Sequence, residues 1–395
     1  MKDLKSYYYP GAEEATQMRE WLLNVGAPIW ASVGRTKIGW FAERISSQGE
    51  ADASYFRTFV QARHVYSFSA IGRMGWEGLW ADLVEQTIDS LLSNARRADG
   101  LYVHRLTEDG RVLDHRADLY DQAFILLALG ASGAVLDRPD LFDAAEALLE
   151  KLEYLWAHTN GGFNEGEIAS PELRRQNPHM HLLEAFLLLA KSSRRQRFWD
   201  SALNIARLAA NNFIDAETGA LREYFRDDWL PLGDGPRRLG DVVEPGHCCE
   251  WAWLFEQLVT EGWTEGIALS NALTTFARRY GLSHSGTILV DEVWIDGTIK
   301  SERARLWPQT ERAKAAISRW LRLGTSMEAG EITAAIAGLR RYLEGVFPGL
   351  WRDKLCADGA WVNEPAPGSS LYHISCAVAE LTEAQTVIDS RRNAR

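Results

Sequence analysis

The sequence predicts an all-α fold, an (α/α)6 barrel in which six helix pairs close into a toroid with short β-hairpins in the loops. Three observations predict it. Apolar residues recur at helical spacing through nearly the whole chain, as in "LYDQAFILLALGAS", "LFDAAEALLEKLEYLW" and "FWDSALNIARLAANNF", the pattern of helices with a buried face. Strand-like alternation is confined to short pieces near "GTILVDEVWIDGTI". Between helix pairs lie segments with one signature, "RADGLYVHRLTEDGRV", "HTNGGFNEGEI", "DAETGALREYFRDDWLPL" and "RDKLCADGAWVNEPAPG". Each puts an Asp or Asn and a Gly before an aromatic or apolar residue, as a returning loop requires.

Breakers delimit twelve helices, near residues 11–25, 53–71, 76–96, 117–133, 139–157, 178–192, 196–213, 246–261, 263–281, 308–323, 329–346 and 369–385. Joined in pairs, they can form an inner and an outer ring, each helix burying one face against its neighbours. No Pro/Ser-rich linker or shift in composition cuts the chain, so residues 1–395 are expected to form one catalytic domain.

Taken in order, every second helix carries chemistry-bearing side chains. "QARHVYSFSAIGR" puts Arg63, Tyr66 and Ala70 on one face; an arginine in an apolar helix is costly unless paired with a carboxylate or aimed at a ligand. "RADLYDQAFILLALG" offers Asp118 as a helix cap, with Tyr120, Asp121 and Gln122 able to reach a pocket. "NPHMHLLEAFLLL" carries His179, His181 and Glu184. The two histidines lie about 200° apart on the helical wheel, and His181, which shares its face with Glu184, is expected to be the inner one.

"EPGHCCEWAWLF" begins a helix, because Pro245 and Gly246 do not belong mid-helix. His247 and Glu250, one turn apart, share a face, so the carboxylate can orient the imidazole; the helix N-terminus alone would instead lower the imidazole pKa. Adjacent Cys248 and Cys249 point about 100° apart on a helix and lack C-x-x-C or paired Cys/His spacing, so no metal site and no redox pair is expected. "ARLWPQTERAKAA" sets Trp307 before Pro308 at the first helical position, with Glu311 in reach as a hydrogen-bond partner. "GSSLYHISCAVAEL" places Tyr372 and His373 in the first turn of the last helix. His181, His247, Trp307 and His373 thus fall at helix starts 60 to 66 residues apart, one helix pair each, and a toroid brings such starts to one mouth.

Composition narrows the partners. With 43 Lys and Arg against 54 Asp and Glu, the net charge is 43 − 54 = −11, which disfavours nucleic acid and anionic membranes. No stretch approaches the roughly 20 apolar residues of a spanning helix, and "MKDLKSYYYPGAEEATQ" has no apolar leader core, so a cytoplasmic protein is expected. Four cysteines make no disulfide framework. Sixteen tryptophans suit both core packing and stacking on a small-molecule ligand.

"RHVYSFS", "YDQAF", "NPHMHLLEA", "EPGHCCEWAWLF", "WPQTE" and "LYHI", in this order across residues 10 to 385, resemble the N-acylglucosamine 2-epimerase superfamily, an (α/α)6-barrel group that includes mannose isomerases. The resemblance implies acid-base chemistry at C1 and C2 of a monosaccharide, with no metal and no cofactor. It implies catalytic roles for His247 and His373, and substrate contacts from Arg63, His181, Glu250, Trp307 and Glu311, beside which Glu184, Tyr120 and Asp121 are expected to lie.

The compact length and "NPHMHLLEA" favour interconversion of D-mannose and D-fructose, with His373 moving the carbon proton and His247 serving ring opening and the oxygens. A 2-epimerase acting on cellobiose or an N-acylglucosamine is the alternative, as is a sulfoquinovose isomerase using Arg237 or Arg238. From another class, a glycoside hydrolase on the same barrel would need two carboxylates, for which Asp121, Glu250 and Glu311 are available. "RDDWLPLGDGPRRLGDVV" is a candidate lid. Monomer and homo-oligomer are equally compatible with the sequence.

Overall fold

A computed structural model describes residues 9–170 and 172–393, without the side chains of 391–393. Residues 1–8, the first part of the segment expected to carry no leader core, lie outside them. The described helices are α1 (Ala12–Trp21), α2 (Ala27–Ser32), α3 (Thr58–Arg73), α4 (Trp80–Ser90), α5 (Leu119–Val135), α6 (Pro139–Trp156), α7 (Gln176–Ser193), α8 (Gln196–Leu208), α9 (Pro245–Thr260), α10 (Gly266–Tyr280), α11 (Leu306–Leu323), α12 (Ser326–Leu343) and α13 (Ser370–Asn393). Because α1 and α2 are joined by a π turn, Leu22–Gly26, they form twelve helical rods.

Helices α3, α5, α7, α9, α11 and α13 each pack on the next, and α13 packs back on α3, so the inner ring closes as an (α/α)6 barrel. The outer rods each lie mainly over one inner helix, α4 and α6 also touching the next. Sequence dictates which is which. Helix α5 is buried at nearly every position from Leu119 to Gly133. Outer α8 buries only Phe198, Ala202, Ile205, Ala206 and Leu208, the stripe of an amphipathic surface helix.

Every pair ends in the same device. After each outer rod the chain turns back through a β-bridge: Arg35↔Phe41, Arg96↔Tyr102, Ala157↔Phe163, Ile214↔Leu221, Leu282↔Leu289 and Leu355↔Trp361. Inside each bridge a glycine takes a left-handed φ, from 69° at Gly286 to 94° at Gly100, where a side chain would strain the turn. Sequence had exposed four of these loops; "RTKIGWF" and "LSHSGTIL" escaped because they carry no Asp or Asn beside the glycine. Gln61, Gln122 and Gln309, each four residues into an inner helix, bond both backbone groups of Phe41, Tyr102 and Leu289. The returning loops are thereby pinned to the inner-helix starts.

Several boundaries differ from expectation, among them the last helix, which runs to Asn393 rather than 385, and α4, which begins at Trp80 rather than 76. The first rod runs to Ser32 rather than 25, because the π turn precedes Pro28 and relieves the backbone of a hydrogen bond proline cannot donate. The second begins at Thr58, since Tyr55–Arg57 pairs as a strand with Arg105–Thr107. Helix α11 begins at Leu306, so Pro308 is its third residue.

Candidate active site

The inner-helix starts surround a cavity of about 210 Å³. Phe59 and Arg63 enter it from α3, Tyr120 from α5, Asn177 and His181 from α7, and His247 and Glu250 from α9. Glu244 and Arg305 come from the residues just before α9 and α11, Trp307 from α11, Ser369 from the residue before α13, and His373 from α13. A larger open groove of about 610 Å³ beside α1 and α13 brings together no histidine, so the smaller cavity is the candidate site.

His247 and His373 flank Trp307, with ring centroids 4.7 Å and 5.7 Å from the indole. Each imidazole donates Nδ1–H to a carboxylate, leaving Nε2 as its second proton site. For His247 the acceptor is Glu223, at 3.0 Å; for His373 it is Glu311, at 2.9 Å. Burial opposes the charged form of His247, but the carboxylates of Glu223 and then Glu244 outweigh it and raise its pKa to about 9. Burial also lowers His373; Glu311 resists, while Arg63 and Lys314 add to the fall, and it comes to about 3. One ring is therefore cationic at neutral pH and the other a neutral base.

The Nε2 of His247 lies 3.1 Å from the Asn177 amide nitrogen, and Asn177 Oδ1 has no partner. A carboxamide turned about its χ2 axis can therefore donate to a neutral ring or accept from a charged one. His181 is neutral, lowered by burial to about 4 against the pull of Glu184, whose Oε2 is 3.3 Å from its Nδ1. Arg63 lies over Phe124 at 4.3 Å and Tyr372 at 4.9 Å, and donates to Tyr120 Oη at 2.7 Å and the Ser369 carbonyl at 3.3 Å. Its partners are rings and neutral oxygens rather than the carboxylate that was the alternative, so its charge stays available to a ligand.

Glu250 does not orient His247; Glu223, from the preceding hairpin, does. Both Glu250 oxygens are buried without a hydrogen-bond partner, and burial, with Glu311 and Glu184 nearby, pushes its carboxyl well above the usual range. It presents a neutral acid to the cavity. The helix N-terminus likewise fails to set the charge of His247, because close carboxylates exceed a dipole worth about a kcal/mol.

Seven of the ten expected residues line the cavity. Glu184 and Glu311 stand behind it as partners of His181 and His373. Asp121 lies elsewhere: its carboxylate meets His104 Nδ1 at 2.7 Å and accepts from the Phe59 amide at 3.1 Å, tying α5 to the start of α3. His179 is held between the Phe163 amide and the Arg175 carbonyl, away from the site. Asn177 and Glu244 were visible in "NPHMH" and "EPGHCCE" but carried no spacing signal, and Glu223 sits in a loop 24 residues before the histidine it serves. Cys248 and Cys249 are buried, burial pushing their thiols up, Cys249 to about 12. The candidate lid lends no residue to the cavity lining; Trp229 anchors it to the Gly161 carbonyl at 3.1 Å.

Among the described residues three clusters each bring their possible ligand atoms within 4.8 Å of one another: His181, Glu184 and Glu250; Glu223, Glu244 and His247; and Glu250, Glu311 and His373. Their chemistry is poor for a cation. His247 holds its proton, Glu250 is a neutral acid, and the Lys314 ammonium already sits 2.6 Å from Glu311, whereas a metal needs deprotonated ligands.

Residues 39–377 match the family described as N-acylglucosamine 2-epimerase (GlcNAc 2-epimerase). The chain belongs to this family. It is 37% identical to a protein of Rhizobium meliloti named mannose-6-phosphate isomerase, over 94% of this chain and 97% of that one. It is 29% identical to a D-mannose isomerase of Pseudomonas cannabina over 68% of each. A cellobiose 2-epimerase from Bacillus thermoamylovorans superposes with a TM-score of 0.85 at 18% identity, covering 94% and 99% of the two chains. Members of the N-acylglucosamine 2-epimerase family are sugar isomerases and epimerases, and this chain is one of them. Among the described residues no helix is long and apolar enough to cross a membrane.

Proposed function

We propose that the chain is an aldose–ketose isomerase interconverting D-mannose and D-fructose, with residues 1–395 as one catalytic domain. The observation that carries this reading is the pair of carboxylate-bonded histidines on either side of Trp307, one surrounded by carboxylates and held cationic, the other neutral. A C2 hydrogen beside an aldehyde is weakly acidic, so its removal needs a positioned neutral base and cationic or donor groups where charge develops on oxygen. His373, through Nε2, takes the C2 proton of the open-chain aldose and returns it to C1 on the same face of the cis-enediolate. His247, as imidazolium, donates to the ring oxygen on opening and recovers a proton from the C1 hydroxyl; it then donates to O1 of the enediolate and takes the proton of the C2 hydroxyl as the ketone forms, with Arg63 and neutral Glu250 as further donors. The indole of Trp307 and the ring of Phe59 cover the sugar's C–H faces.

The charge of the cavity supports an uncharged sugar. Arg305 is held by Glu244 at 2.7 Å and Asp291 at 3.0 Å, and Glu244 and Glu250 face the same space. Arg237 and Arg238 bond Thr298, Gly233 and Asp241 and lie outside the cavity lining. A phosphate or sulfonate would have to displace the Glu244 carboxylate from Arg305 there. A 2-epimerase would use the same pair of histidines, with His247 returning the proton to C2 from the opposite face, so products decide between them. Incubation with mannose, fructose, glucose, cellobiose and mannose 6-phosphate in heavy water, followed by NMR, is expected to give fructose from mannose with deuterium at C1. Mannose or glucose exchanged at C2 without ketose would establish epimerisation, and turnover of mannose 6-phosphate alone would overturn the reading of the cavity charge.

A further inference from the structure

Behind His373, on the side away from the cavity, lies a lysine that the chemistry above does not use. Lys314 has no solvent exposure, and its ammonium sits 2.6 Å from Glu311 Oε2 and 3.7 Å above the Trp253 ring. The other oxygen of Glu311 accepts from His373 Nδ1. Lysine, carboxylate and imidazole thus form one line, running from the barrel's interior to the cavity. A lysine is almost never fully buried without a partner that compensates the loss of water. Here Glu311 is that partner, one turn earlier on α11, and the ring of Trp253 supplies a cation–π face.

Resting on the reading of His373 as the carbon base, we infer that Lys314 is a positioning residue for it. By holding Glu311 ionised and fixed, it presents a permanent acceptor to Nδ1–H, so the lone pair of His373 is confined to Nε2, facing the cavity. Arg63 from α3, Tyr120 from α5, His181 from α7, and His247 and Glu250 from α9 share the cavity with His373, Tyr372 packs on its ring, and Glu311 with Lys314 stands behind it on α11. Burial pushes the Glu311 carboxyl up, yet Lys314 and His373 together hold it at about 2. Lys314 also adds to the forces keeping His373 uncharged.

The test is Lys314→Met, with Lys314→Gln as the variant that offers Glu311 a polar neighbour without the charge. Both are expected to lower kcat on the order of ten- to a hundredfold, as when an outer partner of an oriented histidine is removed, with KM for mannose nearly unchanged. The acid limb of kcat/KM is expected to move to higher pH by about one unit or more, because a cation near the base is gone. Unchanged kcat, or kcat and KM worsening together with the acid limb in place, would overturn the assignment in favour of a structural lysine. Should neither variant fold, nitrogen NMR of the unmodified enzyme decides it. A slowly exchanging ammonium coupled to the Glu311 carboxylate, with His373 as the Nδ1–H tautomer, supports the inference, and a neutral amine or the Nε2–H tautomer overturns it. Failure of the base assignment itself shows separately, as retained C2-hydrogen exchange in His373→Ala.

Discussion

His247 and His373 occupy matching places, the first turns of inner helices α9 and α13, and each donates Nδ1–H to a buried carboxylate at nearly the same distance. Their charges nevertheless differ, because the wider surroundings do. Around His247 stand the carboxylates of Glu223 and Glu244, and an imidazolium answers them. Around His373 the single carboxylate contact is shared with Lys314, and Arg63 adds a second cation. A histidine's partner fixes its tautomer, whereas the sum of charges within several ångströms fixes whether it carries the second proton.

The largest expected effect comes from removing the neutral ring. His373→Ala should lower kcat by about a hundred- to ten-thousandfold, the range for general acid–base catalysis, and abolish C2-hydrogen exchange measured by NMR in heavy water. Next is Glu223→Gln, which leaves an acceptor for Nδ1–H of His247 but removes the closest negative charge. The basic limb of kcat/KM, set by loss of the imidazolium and expected near pH 9, should move down. Stability tests the same link. A histidine raised from 6.5 to about 9 adds stability that is fully present below its unfolded pKa and lost as pH rises through about 9. Glu223→Gln should therefore be less stable than the unmodified protein at pH 6, and the difference should shrink above pH 9, as followed by denaturant midpoints.

The smallest kinetic effect belongs to Asp121→Asn. Its carboxylate holds His104 and the Phe59 amide outside the cavity, so kcat/KM is expected to stay within about twofold while stability falls by about 1–2 kcal/mol. A large kinetic loss at unchanged stability would return Asp121 to the site.

The barrel was legible because its evidence is repeated: helical periodicity in every rod, and a glycine in every returning loop. The convergence of His181, His247, Trp307 and His373 was legible for the same reason, each standing at a helix start one pair from the next. Charge was not. Spacing on α9 suggested Glu250 as the partner of His247, yet the partner is Glu223 on a hairpin 24 residues earlier, where it also accepts from Gln176 at 2.7 Å. Asp121, next to Tyr120 in sequence, turns about 100° away on the helix and serves the neighbouring loop. Local pattern reports which face a residue takes, whereas a protonation state depends on groups brought together from several helices.

The division of labour between the two rings is measured most directly by nitrogen NMR of histidine-labelled enzyme from pH 5 to 9, with His247→Gln and His373→Gln supplying the assignments. The expected result is one ring, His247, doubly protonated until pH approaches about 9, and another, His373, neutral with Nε2 unprotonated throughout. Two rings titrating together near pH 6.5 would contradict it.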